Sequence, residues 1–171
     1  GNYQEAVRVG VGNGVSSAAS YIYNNTIISG SGASGAGLYL DGYQNADCSH
    51  TVKNNIIQGN NNDYQCGEEE ITVTHSNNIT EDATSPDAAY QSKTITFAGV
   101  GDYHLDSEET DAIDEAADLS GATNGMTTDI DEETRSGTWD IGADETGSAP
   151  AATGKMIGNM SGNFQEMSGG F

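Results

Sequence analysis

Residues 21–30 read YIYNNTIISG, residues 52–60 VKNNIIQGN and residues 73–79 VTHSNNI, so an apolar stretch, an Asn pair and an Ile recur three times. The apolar and aromatic positions favour strands, whereas Asn belongs in turns. The pairs Asn24/Asn25, Asn54/Asn55 and Asn77/Asn78 are separated by 30 and 23 residues, which suits one turn of a β-solenoid with a variable loop. The pattern predicts strands such as Ser20–Ile28 and Thr51–Ile57, each followed by a corner at Ser29-Gly30 or at residues 59–62. In the first turn, residues 37–40 add a strand with Leu38 and Leu40 on one face and Tyr39 on the other. Equivalent positions of successive turns lie one strand spacing apart, about 4.8 Å. An Asn that recurs once per turn then meets its own image, donating to one neighbour and accepting from the other. Asn24, Asn25, Asn54, Asn55, Asn77 and Asn78 are expected to form such a structural ladder. Helical periodicity is nearly absent. Only residues 108–119, EETDAIDEAADL, with the narrow stripe Ile113, Ala116 and Ala117, predict a short helix or an irregular turn.

Composition supports a chain of corners: there are 23 Gly and only 2 Pro among 171 residues, enough for one domain with a core. From Thr146 the sequence TGSAPAATG is small and turn-rich, a linker. Beyond it, KMIGNMSGNFQEMSGGF places Met156, Met160, Phe164, Met167 and Phe171 about four residues apart. That tail has two readings, a docking segment for a partner or for the domain itself, and a frayed end whose glycines oppose a helix. The expected organisation is β-helix turns over 1–100, a C-terminal capping region over 101–145, and a linker with tail over 146–171.

Five Lys plus Arg against 26 Asp plus Glu give a formal net charge of -21. This excludes nucleic acid as a partner, because binding it requires cationic side chains to displace counterions. A surface this acidic keeps proteins apart in salt and also suits divalent cations. Cys48 and Cys66 would close a loop worth about 3 kcal/mol if bonded, and a disulfide is expected; two small residues in a reducing compartment is the alternative. No apolar run approaches the length of a membrane span, and no basic start with an apolar segment marks a signal peptide. Gly1 reads as a processed or trimmed start.

From Asp102 the chain carries an ordered series of short motifs: DYHL at 102–105, AID at 112–114, an acidic run from Asp129 to Arg135, and DIGADE at 140–145. The series resembles the closing segment of bacterial secreted right-handed parallel β-helix proteins, the group called choice-of-anchor Q domain proteins. Their pattern is D-Y-H-L, S-P-A-I-D-x-G, D-x-D/G-x-x-R and D-I-G-A-[YF]-E. With the Asn repeats, the resemblance covers roughly residues 20–145. It implies an all-β, right-handed parallel β-helix (a single-stranded solenoid) with an irregular C-terminal capping region, in an extracellular, secreted or cell-surface setting. It implies no single activity. The chain departs from the pattern at Thr110-Asp111, at Glu115-Ala116 and at Asp144, where the group has Ser-Pro, Gly and an aromatic residue.

The chemistry available is mostly carboxylate. Asp102, Asp106, Asp111, Asp114 and Asp118, together with Asp129, Asp131 and Glu133, offer hard oxygen ligands, and Asp102, Asp106, Asp129 and Asp131 are the expected positions for calcium, the one cofactor considered. The fixed cations are Arg8, Lys53, Lys93, Arg135 and Lys155; Arg135 is expected to pair with Asp140 or Glu133. His50, His75 and His104 are expected as surface or packing residues, and no nucleophile elbow, phosphate loop or metalloprotease motif occurs. Sequons at Asn24, Asn78 and Asn159 are as frequent as chance allows. Two functions remain in view. One is a non-catalytic structural or adhesive solenoid that associates head-to-tail with itself, or with other cell-surface components, into a filament through an open first turn and the C-terminal tail. The other is a carbohydrate-active or carbohydrate-binding solenoid, for which Tyr21, Tyr23, Tyr39 and Tyr43 are the aromatic candidates.

Overall fold

The computed structural model describes residues 5–10, 17–42, 47–67 and 71–147; Tyr43 and the tail residues Met156, Met160, Phe164, Met167 and Phe171 lie outside them. The first seven strands are β1 (Val7–Val9), β2 (Ser17–Tyr23), β3 (Thr26–Leu40), β4 (Asp47–Lys53), β5 (Ile56–Cys66), β6 (Ile71–Ser76) and β7 (Ile79–Thr80). They form two parallel sheets, ordered β1-β3-β5-β7 and β2-β4-β6. The chain alternates between the sheets, so β2 with β3, β4 with β5, and β6 with β7 make three stacked layers. Register holds across the corner: Tyr23 lies opposite Lys53 and Lys53 opposite Ser76, while Thr26 lies opposite Ile56 and Ile56 opposite Ile79. This all-β arrangement of parallel strands is compatible with a β-solenoid.

The strands expected to run through the Asn pairs break there instead. Asn24, Asn54 and Asn77 have φ of 52°, 58° and 56°, the left-handed conformation that Asn tolerates better than other side chains and that ends a strand. The corners expected at Ser29-Gly30 and at residues 59–62 fall inside β3 and β5, where the pairing shifts register between Ile28 and Ala36.

Inward-facing residues alternate as a half-buried strand requires. Ile22, Ile27, Leu38, Leu40, Val52, Ile57 and Tyr64 form the inner core, with Leu38, Leu40, Val52 and Ile57 fully buried. Each contributes about 1.5–3 kcal/mol by leaving water. Tyr39 points the other way, beneath the Arg8 guanidinium at 5.1 Å. Cys48 and Cys66 are free thiols, so the expected disulfide is absent. Cys48 is buried in the sheet of β4, paired between Ala18 and Ile71, whereas exposed Cys66 ends β5 in the other sheet, its sulfur 3.6 Å from the Tyr64 hydroxyl. The chain between them turns at Asn54-Asn55, which a loop-length argument does not register.

The parallel ladder ends at Thr80. Residues 81–147 hold one hairpin, β8 (Phe97–Gly99) against β9 (Asp102–Leu105), and a 3-10 turn at Ala88–Tyr90. Residues 108–119 are irregular turns, because carboxylates take amides two residues on, Asp106 from Glu108, Glu109 from Asp111 and Asp118 from Ser120, in competition with a helix. This C-terminal region lies along the corner. It buries the outward residues Ile56 and Ile79 with Ile95, Leu105, Ala112 and Ile141, and Tyr23 with Leu119 and Trp139. Gly142 makes the approach possible: at φ 105°, a Cβ there would sit 2.6 Å from Ile56 Cδ1 and 2.9 Å from Thr26 Oγ1.

Candidate functional site

The two asparagines of each pair have different roles. The second of each pair forms the ladder. Asn25 Nδ2 donates to Asn55 Oδ1 at 2.9 Å, and Asn55 Nδ2 donates to Asn78 Oδ1 at 2.8 Å. The same oxygens accept the backbone N–H of Asn25 at 3.0 Å and of Asn55 at 3.3 Å. The amide nitrogens also reach the strand carbonyls of the corner: Asn55 Nδ2 donates to Lys53 O and Ile22 O, and Asn78 Nδ2 to Val52 O. With Asn55 and Asn78 fully buried, this accounts for polar groups that would otherwise be stranded. The first of each pair makes the bend, and Asn54 and Asn77 tie it to the C-terminal region. Asn54 donates to Asn24 Oδ1 and to Ala117 O while accepting Ala117 N, and Asn77 donates to the Tyr90 hydroxyl and to Glu115 O.

At the third layer the ladder is finished by acidic side chains. The Asp87 carboxylate accepts Asn78 N and Asn78 Nδ2, both at 3.3 Å, and also contacts His75 Nδ1 at 2.7 Å. Beyond short β7, the amides of β5 are taken by side chains: Gly59 N donates to Glu81, Asp63 N to Asp82 and Tyr64 N to Thr84. In return the buried Asp63 carboxylate accepts Glu81 N at 2.7 Å. Burial pushes the Asp63 carboxyl up from its ordinary range, and hydrogen bonds from Asn60 and Asp82 oppose that rise.

The first layer is left open among the described residues. β2 is an edge strand, and β1 covers only the Leu38–Leu40 end of β3. Between them lies a cleft of about 520 Å³ lined by Ala6, Val7, Tyr21, Ile22, Asn25, Thr26, Ile27 and Ile28. The Oδ1 of Asn25 accepts from none of the described residues, unlike its counterparts below it. The amide nitrogen of Asn24, a residue 7% exposed, is buried without a partner among the described residues. Ser20 on this edge contacts His50 Nδ1 at 2.6 Å, because the register sets Ser20 beside His50. The other ring nitrogen, Nε2, is buried with no partner among the described residues.

The motifs from Asp102 to Glu145 converge on one another. Asp114 N donates to Asp140 Oδ1 at 2.7 Å, Ile141 N to Ala112 O at 2.9 Å, and Leu105 N to Asp144 Oδ2 at 2.7 Å. Asp144, the departure from the aromatic of the motif, thereby fastens the DYHL strand. Arg135 is buried and pairs with Glu145 at 3.1 Å, donating also to the carbonyls of Asp140 and Gly142. Neither expected carboxylate partner, Asp140 or Glu133, receives it: the Asp140 carboxylate takes Asp114 N and Thr146 N instead. Burial pulls the Arg135 guanidinium down and pushes the Glu145 carboxyl up from their ordinary values.

Of the expected calcium positions, Asp102 and Asp131 are brought together on His104. Asp106 caps Glu108 N, and Asp129 Oδ1 accepts Asp131 N and Glu133 N, each a local turn. Among the described residues, the group whose ligand atoms lie within 4.8 Å of one another is His104, Asp131 and Asp144. His104 is hydrogen-bonded through Nδ1 to Asp102 and through Nε2 to Asp131 at 3.0 Å. The hydrogen bond to Asp102, then that to Asp131, raises the imidazole above its ordinary pKa. His104 offers nitrogen to this group, whereas calcium prefers oxygen ligands. The aromatic candidates are dispersed as well. Tyr21 and Tyr23 are neighbours with ring centroids 5.9 Å apart, but Tyr23 is buried under the C-terminal region and Tyr39 is in the other sheet.

Sequence reasoning missed the closing residues Glu81, Asp82, Thr84 and Asp87. Their only signal was a position just after the last Asn pair. No family model, curated protein or solved structure matches this chain.

Proposed function

We propose that the chain is a non-catalytic structural β-solenoid, a right-handed parallel β-helix of the secreted or cell-surface kind, whose first layer is an edge for adding a further strand. The observation that carries this is the first layer, left open among the described residues, with its apolar cleft and the unfilled Asn25 acceptor. An open parallel edge is a template for strand addition, main-chain hydrogen bonds giving affinity and the cleft side chains giving selectivity. The polar groups elsewhere support a structural role, since the buried carboxylates of Asp63, Asp140 and Asp144 are occupied by backbone amides. The extracellular setting rests on the motif resemblance. Simple head-to-tail stacking would have to displace Glu81, Asp82, Thr84 and Asp87 from the third layer, so association through the first layer fits better.

The test pairs a turnover assay on acidic glycans, with and without calcium, with electron micrographs and sedimentation of the same preparation. No turnover is expected, and association, where it occurs, is expected to be lost in Ile28→Glu, which puts a charge in the cleft. Glycan turnover abolished by that same substitution would replace the structural account with a catalytic one.

A further inference from the structure

We infer that the strand added at the first layer is the chain's own C-terminal segment, residues 148–171, docked on the molecule that carries it. This rests on the first layer being a docking edge, and it names the occupant. Three observations point there.

The first is where the described chain leads. Ala143 N donates to Thr26 Oγ1 at 3.0 Å, and Thr26 lines the cleft. Gly147 is four residues further on, a reach of at most about 14 Å from that bond. A segment tethered so close meets the cleft at an effective concentration on the order of millimolar, which a second copy in dilute solution does not match.

The second is composition. Residues 148–171 contain three of the chain's four Met and two of its three Phe. Met fills irregular apolar clefts well because it is unbranched and polarisable, and the cleft wall of Val7, Ile22, Ile27 and Ile28 is of that kind.

The third is charge. The chain carries a formal net charge of -21, yet its last twenty-four residues contain one Lys, Lys155, and one acidic side chain, Glu166. A near-neutral segment approaches an acidic body without the repulsion that two whole copies would meet. Backbone N–H and side-chain amides of the docked strand, Asn159 and Asn163 among them, can supply the donor that Asn25 Oδ1 lacks.

The experiment compares the full chain with the full-length variant Met156→Asp/Met160→Asp/Phe164→Asp. Amide hydrogen exchange at residues 20–28, sedimentation over a range of concentrations, and binding of a labelled peptide of residues 148–171 are measured for both. The inference expects a monomeric full chain whose 20–28 amides exchange at least tenfold more slowly than in the variant, with 52–58 unchanged. It also expects the peptide to bind the variant at least tenfold more tightly than the full chain, whose cleft is occupied. Equal protection in both proteins, appearing only at concentrations where dimers sediment, overturns the inference in favour of a second copy and leaves the docking edge standing. Fast exchange at 20–28 in both proteins, with no peptide binding and no dimer, overturns the inference and the docking edge together.

Discussion

At the third layer the ladder meets Asp87, which accepts both Asn78 N and Asn78 Nδ2, and the β5 amides beyond β7 are taken up by Glu81, Asp82 and Thr84. At the first layer the same rung ends at Asn25, exposed and without a donor among the described residues, beside the orphaned amide of Asn24. Both ends belong to one repeat with one corner geometry. What distinguishes them is the stretch of chain from Ile79 to Asp87. After Asn78 the sequence supplies short acidic and hydroxyl side chains whose oxygens stand in for the next strand; before Asn25 the described residues supply only β1, which pairs at the far end of β3. A parallel stack thus needs side-chain oxygens wherever its amides point outward, and exposes a binding edge wherever it lacks them.

The comparison is broken most severely in the middle of the ladder. Asn55→Ala leaves Asn25 N without its acceptor, takes one of two donors from Asn78 Oδ1 and removes the side-chain donor to Ile22 O, and is expected to cost about 3–5 kcal/mol in denaturant unfolding, against about 1 kcal/mol or less for Asn25→Ala at the open end. Equal costs would mean that the two positions are equally supported. Gly142→Ala attacks the strap that crosses the first two layers: the added Cβ meets Ile56 Cδ1 at 2.6 Å in a left-handed conformation, and a loss of about 2–4 kcal/mol is expected from the same unfolding curves. Asp87→Ala opens the closed end. It should cost about 1–3 kcal/mol and speed exchange at Asn78 and His75 while leaving residues 20–28 as they were.

The smallest effect concerns His104. Its pKa is raised by Asp102 and Asp131, so the stability it contributes is complete below the imidazole's unfolded value near 6.5 and is lost as pH rises through the higher folded value. Asp102, Asp131 and Asp144 are the charges that face it. These groups are partly exposed, and the effect is expected to stay under about 1 kcal/mol. An NMR titration of His104 should give a midpoint above 6.5, falling in Asp102→Asn; a midpoint unmoved by that substitution would remove Asp102 as the cause.

The stack was legible in the sequence because Asn pairs recur at a solenoid's spacing, and alternation at Leu38 and Leu40 marked a strand face correctly. The corner was not legible, since Asn24, Asn54 and Asn77 sit inside runs of β-formers and only φ distinguishes a bend from a strand. The closing carboxylates were hidden by abundance: in a chain with 26 Asp plus Glu, nothing in composition separates Asp87, which finishes a ladder, from Asp118, which caps an exposed turn. The same abundance left the expected calcium positions unmarked: Asp106 and Asp129 are engaged by local amides, while Asp102 and Asp131 flank His104. Arg135 was recognised as structural, but its partner Glu145 lies at the far end of a motif that doubles back around the guanidinium.

The difference between the two ends is tested most directly by amide hydrogen exchange on the chain ending at Gly147. Gly59, Asp63 and Tyr64, whose amides are held by side chains of residues 81–84, are expected to exchange at least tenfold more slowly than the outward-pointing amides of residues 20–23 and 26–28. Equal protection at the two ends would contradict the account.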